Sequence, residues 1–369
     1  MFESGSLSKE KIAIYGAQGY ALGAYFALKE LYPDKEVGCF LVTEMGINAP
    51  FLCGIPVREI AEFAANIDNK NDYDIVIATP ENVQESIAGT LERYGFISFH
   101  KLSSSAWSEL MSEYFEKIGN LKTIRSLQIG GKKADLSVYV ARSTHDRSLQ
   151  NAAPESEHLH AVQAGAALDD VTIAELRDDI GENISEKNSN YCELTVLYWI
   201  WKNRLCSHDD SDGHSHYVGF AQYRRMLDLS EEDLRRLEDN NVDAVLPYPL
   251  AYDPDINEHH KRYLKDEDWI AVIRALEELS PEYAEYFPAV LSQRWLYNYN
   301  VIIAKEDVLK KYCEWLFPIL ERIEALSVPK GNERSDRYIG YIAETLETLY
   351  FFKNAGKLNI VHTGCRLYV

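Results

Sequence analysis

Two adjacent arginines, Arg224 and Arg225, end a short apolar run, YVGFAQYRR, that reads as a buried strand. Guanidinium forks pair bidentately with phosphate oxygens, and in open α/β sheets ligands bind just beyond the carboxyl ends of strands. The placement predicts a clamp for a phosphorylated ligand, first of all a nucleotide-sugar, with Gln222 and Tyr223 completing its polar tip. A surface pair neutralised by acids such as Asp228 is the competing account.

Upstream, Asn183-Ile-Ser185-Glu-Lys187-Asn188 is dense in donors and precedes a helix N-terminus, where backbone N–H groups favour anions. Capping and turn chemistry would also account for it. The helix that follows carries Tyr191, Tyr198, Trp199 and Trp201 and is apolar on nearly every side, so most of it belongs to a core. Glu193 and Tyr198 stand out as polar tips on a buried element. Asp253-Pro-Asp255 has a DxD spacing that could hold a divalent ion against a diphosphate, although a proline turn explains it equally. His208, His214 and His216 lie among Asp209, Asp210 and Asp212, yet this polar run reads more simply as a surface loop without the outer shell of a metal site. No metal ligand is assigned.

Gly16, Gln18, Gly19 and Gly23 occupy the place of a dinucleotide fingerprint, with Glu44 about twenty residues on to meet a ribose hydroxyl. The spacing is GxxGxxxG rather than GxGxxG, so Gln18 stands where the phosphate-approach glycine would be. A tight turn with close helix packing is the alternative. No GxSxG elbow, HExxH helix or Walker loop occurs, which leaves hydrolase and kinase readings unsupported.

The elements that would position these groups follow from hydrophobic period. Strands at Lys11–Tyr15, 37–43, 73–78 and 96–99 alternate with helices at 20–31 and 58–67 and another opening at Pro80. This rhythm predicts parallel βαβ units, hence a Rossmann-like domain over residues 1–120. Residues 121–136, with Gly130-Gly131-Lys132-Lys133, are expected to form a linker. A second α/β domain spans 137–369. Its strand at 137–141 leads to His145, and residues 151–180 are read as an irregular, partly helical cover. Asn188 or Asn190 caps the aromatic helix, with Glu193 closing a capping box. Strands follow at 242–246 and 299–304, then a long helix kinked at Pro318 and a last helix over 336–354 capped by Ser335.

The formal net charge of −20 argues against nucleic-acid binding and against a general polybasic grip on anionic lipid. Six scattered cysteines fit reduced thiols in the cytoplasm. No signal sequence or membrane-length apolar run is visible, so any membrane-bound substrate would be met peripherally, from the cytoplasmic face.

Residues 183–188, 193–203 and 218–225 together resemble the NISxKN, ELTxLYWxWKN and VGxxHYRR motifs of a bacterial family of capsular and exopolysaccharide glycosyltransferases. The segments NYNVIIAKEDVLKKYCEWLFPIL, with Asn298 and Asn300, and RYIGYIAETL are similar to the same family. The resemblance spans about 137–369. It implies a GT-A-like fold and transfer of a sugar, galactosyl foremost, from a UDP-sugar to a lipid-linked glycan. Gln222 replaces the family's histidine. The N-terminal domain is similar to Rossmann-like segments attached to some sugar-modifying acyltransferases and to some members of this family.

On this reading Arg224 and Arg225 take the place of a metal, and no cofactor is required. His145, Asn183, Ser185, Lys187, Asn188, Tyr198, Asn298 and Asn300 would line the substrate site, and Glu193 or Asp253 would be the base. Two alternatives stay open. One is an NAD(P)-dependent oxidoreductase working through the N-terminal domain. The other is a non-catalytic assembly protein that binds a nucleotide-sugar or glycan.

Overall fold

The computed structural model describes residues 7–149, 156–205, 215–330 and 333–369. Two parallel-rich sheets form its frame, as the alternation of strands and helices predicts. In the first, the order by leading residue is Phe51, Ile55, Glu36, Lys11, Tyr73, Phe99, and all pairings are parallel except that of Phe51–Leu52 with Ile55–Glu59. Lys11–Tyr15 is central because both its faces are apolar: Ile12 and Ile14 enter one core, Ala13 and Tyr15 the other. Helices Gly19–Leu31 and Ser104–Ile118 pack on the first of these faces.

The second sheet runs Leu176, Leu159, Asp135, His216, Ile302, Ala244, Ile360 by leading residue. Ile302–Lys305 alone opposes its neighbours on that path. Strand His216–Gln222 lies at its middle, between Asp135–Arg142 and Ile302–Lys305. Gly219 is required there, since a Cβ would come within 2.7 Å of Ile303 and 2.9 Å of Val138. A hairpin-like extension, Arg225–Leu227 paired with Cys365–Leu367, carries the chain on from the twin arginines.

Two expectations change. Residues 151–180, read as an irregular cover, hold strands Leu159–Gln163 and Leu176–Arg177, which extend the sheet in parallel. Strands this short leave no measurable period in a sequence. The joining segment is not a free tether either. Ile124 and Leu127 are buried in the second unit's core, Thr123 bridges His362, and Gly131 N–H donates to Asp239. The glycine pair of this segment admits that carboxylate: a Cβ on Gly130 would collide with the Asp239 side chain.

The aromatic helix Leu194–Asn203 is core, as its sequence implies, with Leu194, Val196, Leu197, Trp199 and Ile200 buried. Its entry differs from the expected cap. Asn188–Tyr191 forms a separate turn, Cys192 takes φ 53°, and Glu193 at the N-cap position makes no side-chain capping bond. The last helix, Tyr338–Asn354, starts two residues after the predicted 336, behind Arg337 at φ 63° rather than a Ser335 cap.

Ahead of the aromatic helix lies a buried knot. Asp178, fully buried, accepts hydrogen bonds from Gly165 N–H (2.8 Å), Ala166 N–H (3.0 Å) and Ser185 Oγ (2.5 Å). Asp178→Ala would strand these donors, so a loss of roughly 3 kcal/mol or more is expected in urea unfolding. A loss below about 1 kcal/mol would mean the knot contributes little.

Candidate active site

The second sheet changes direction of growth at strand Asp135–Arg142: Leu159–Gln163 and Leu176–Arg177 lie on one side of it and His216–Gln222 on the other. Such a switch point opens a crevice at the carboxyl ends. The register pairs Gln222 with Ala141 and Arg142 with Gln163, so three strand ends share one edge. Tyr223 continues this edge: its N–H donates to Ala141 O, its hydroxyl accepts from Arg147 N–H at 3.3 Å, and Arg142 and Arg224 flank its ring at 5.7 Å.

Because Ile302–Lys305 runs the other way, its approach segment Tyr299–Asn300 arrives at the same edge. Both residues adopt positive φ, 78° and 52°, a conformation costly for side chains other than glycine. This turn brings polar groups together. Gln222 Nε2 donates to Glu193 Oε1 (2.8 Å) and to Tyr299 O (2.8 Å). Two acceptors fix the amide nitrogen on that side. Asn300 Nδ2 reaches the same Glu193 oxygen at 3.3 Å. Glu344 accepts from Tyr299 N–H (2.7 Å) and Asn298 Nδ2 (3.3 Å). The φ 53° break at Cys192 is what lets Glu193 turn inward instead of capping its helix.

Both carboxyls are pushed upward. Burial raises Glu193, against the opposing effect of Asn300 and Gln222. Burial raises Glu344 to about 7, partly offset by the Tyr299 N–H and reinforced by the Glu193 charge. Two neighbouring carboxyls in one enclosure form a natural acid–base pair.

Arg225, whose charge reaches Glu344, has its guanidinium 3.7 Å from the Tyr299 ring centroid and Nη1 donating to Tyr20 Oη at 3.3 Å. Among the described residues, no carboxylate lies within ion-pair distance of Arg224 or Arg225. Asp228, the acid that would have made them an ordinary surface pair, is joined to Arg366 at 3.0 Å. In a chain with twenty more acids than bases, two half-buried guanidiniums with no carboxylate in direct contact are uncommon; Asp146 and Glu344 feel their charges only at longer range.

Other residues singled out in the sequence are placed as follows. Asn298 and Asn300 join the cluster. His145 is exposed beyond strand Asp135–Arg142, close to the crevice in sequence, with its N–H held by Ser143. Asn183 bonds Asp179 O and Gly181 O as a turn residue, and Ser185 belongs to the Asp178 knot. Lys187 pairs with Glu324 at 2.6 Å, and Asn188 ties Cys192 O to Thr195. Tyr198 packs on Phe317 and bonds Glu182. These five side chains are thus engaged in local structure. Asp253 accepts from Cys53 N–H (2.9 Å) and lies 3.6 Å from Arg294.

In the first sheet Gly16 has φ 131°, and a Cβ there would meet Ala78 O at 2.7 Å. Gly19 packs on Leu250 and Gly23 on Trp107, while Gln18 bonds Asn48 and Arg262. Glu44 is exposed at the end of the second strand. His208, His214, Asp209, Asp210 and Asp212 lie outside the described residues; His216 bonds Asp135 at 2.9 Å. Among the described residues, no group of three or more His, Cys, Asp or Glu is arranged to hold a metal.

Glu344 was not singled out in the sequence. The signal was there: Glu344 and Glu347 interrupt an apolar helix, and Arg337, Tyr341 and Glu344 fall at helical spacing on one face. Its raised value has a sign that can be measured. The native state binds more protons than the unfolded chain between about pH 4.3 and the folded value near 7, so stability falls as pH rises through that window. Glu344→Gln should remove on the order of 2 kcal/mol of that stability loss across the window in pH-dependent urea unfolding, and an unchanged pH dependence would contradict the assignment.

Comparison with known proteins agrees with this architecture. A structure titled WbbM bifunctional glycosytransferase, apo, aligns over 63% of this chain and 45% of its own, with 28% identity and a TM-score of 0.53. This chain therefore spans less than half of that protein. The parallel-rich second sheet and the Rossmann-like first sheet make the α/β fold that the sequence implied. The acetyltransferase domain of PglB from Neisseria gonorrhoeae FA1090 aligns over 42% of this chain and 58% of its own at 16% identity, but its TM-score of 0.20 carries no argument. No curated protein matches the chain in sequence. A family model described as Domain of unknown function (DUF4422) matches residues 139–355, which include the crevice, the arginines and both carboxyls, and the chain belongs to that family.

Proposed function

We propose that the protein is a glycosyltransferase that moves a hexosyl group, galactosyl foremost, from a UDP-sugar to a glycan acceptor. The observation that carries the reading is the pair of arginines without carboxylate partners, beside raised carboxyls at a sheet switch point. The likeness to a glycosyltransferase at 28% identity supports it.

In this reading the nucleotide enters the crevice between the ends of strands Asp135–Arg142 and His216–Gln222, past His145 and Tyr223. The diphosphate meets Arg224 and Arg225, whose fixed charge stabilises the negative charge that grows on the leaving group. The acceptor hydroxyl oxygen forms a bond to the anomeric carbon as the anomeric C–O bond to phosphate breaks. The electron pair leaves with UDP, and the hydroxyl proton passes to Glu193. Burial raises this carboxyl, which makes it the stronger proton acceptor. Gln222 and Asn300 hold Glu193 in place and Glu344 tunes its charge. Asp253, the other candidate base, is tied to Cys53 and Arg294.

Metal independence and a lipid-linked acceptor of capsular or exopolysaccharide synthesis, met at the inner membrane face, belong to the same proposal. No helix among the described residues is long and apolar enough to cross a membrane. No specific observation favours the oxidoreductase alternative.

Transfer from UDP-galactose should survive EDTA, and Arg225→Ala or Arg224→Ala should lower kcat by roughly 100-fold or more. Glu193→Gln should lower kcat by about 100-fold or more with little change in donor KM. Chelator-sensitive transfer would remove metal independence, and undiminished turnover in Arg225→Ala would remove the clamp.

A further inference from the structure

We infer that the N-terminal unit is part of the transfer site, with Tyr20 as the positioning residue that holds Arg225; this rests on the functional reading above. Tyr20 is the second residue of helix Gly19–Leu31 and is fixed by its own unit. Trp107 Nε1 donates to Tyr20 O at 3.0 Å, and the two rings meet edge-on at 5.1 Å. From there the Tyr20 hydroxyl crosses to the second unit, where it accepts from Arg225 Nη1 at 3.3 Å beside Tyr299, whose ring lies under the same guanidinium.

The seam around this contact is closely fitted. Leu250 seats on the first turn of the helix, where a Cβ on Gly19 would lie 3.0 Å from the Leu250 Cβ. Arg262 Nη1 donates to Gln18 Oε1 at 3.1 Å, and Asp253 accepts from Cys53 N–H. Trp295 of the second unit meets Phe26 and Phe115 of the first at 5.6 and 5.3 Å.

Two consequences follow. The helix N-terminus that receives a pyrophosphate in dinucleotide-binding folds faces Leu250 and Ala251 here, so the glycines around it serve docking. What the first unit delivers to the chemistry is a hydroxyl. Tyr20 is the one hydrogen-bond partner of the Arg225 side chain among the described residues, and the remaining guanidinium donors stay available to an anion. Without that hydroxyl, the guanidinium keeps the Tyr299 ring but loses the bond that sets its direction.

The test uses the full-length protein, with isothermal titration of UDP and steady-state transfer from UDP-galactose, on Tyr20→Phe, Arg225→Ala and the double variant. Tyr20→Phe keeps the ring and its packing on Trp107, so its urea midpoint should match wild type. It should weaken UDP binding and lower kcat/KM by about tenfold or more, the effect of one hydrogen bond to a charged group. In the Arg225→Ala background it should add nothing, because Tyr20 acts through that arginine. Wild-type UDP affinity in Tyr20→Phe, or losses that multiply in the double variant, would overturn the inference while leaving the functional reading in place. Absence of UDP binding by the wild-type protein would overturn both.

Discussion

A positive charge drawn into the protein with no carboxylate in ion-pair contact is the constraint on which the rest of this structure depends. Arg225 rests on the ring of Tyr299 and is directed by the hydroxyl of Tyr20, and neither neutralises it. Desolvating a guanidinium in this way is costly unless a ligand supplies the missing charge. The surroundings make sense as the means of keeping it there. The positive-φ turn at Tyr299–Asn300 presents the ring, the kink at Cys192 turns Glu193 inward, and the first unit's helix docks through Gly19 to bring Tyr20 within reach.

The same constraint relates the two carboxyls to the arginines. Glu193 and Glu344 are raised chiefly by burial, the charge of Glu193 adds to the rise on Glu344, and Arg225 opposes part of that rise. An incoming diphosphate would change this balance by occupying the guanidinium's charge. Binding and proton affinity at the site are therefore linked, and the two macroscopic titrations belong to the pair.

Much of the frame was legible in the sequence because it rests on local signals. Buried strands such as Lys11–Tyr15 and the polar end of His216–Gln222 announce themselves by composition. The short strands Leu159–Gln163 and Leu176–Arg177 were not legible, since they exist only through pairing with distant chain. The NISxKN segment shows a different limit. Donor-rich composition suggested ligand contact, whereas Ser185, Lys187 and Asn188 side chains bond Asp178, Glu324 and Thr195. Polar residues before a helix satisfy backbone and buried acids as readily as ligands. Glu344 and Tyr20 were missed because their roles depend on contacts between elements far apart in sequence, which no local pattern records.

The most direct test of the clamp is a crystal structure of the full chain soaked with UDP. The account predicts diphosphate oxygens within hydrogen-bonding distance of the Arg225 guanidinium, with the uracil in the crevice between Arg142 and Tyr223. A nucleotide seated instead at Gly16–Gly19, or a diphosphate with both arginines turned away from it, would contradict it.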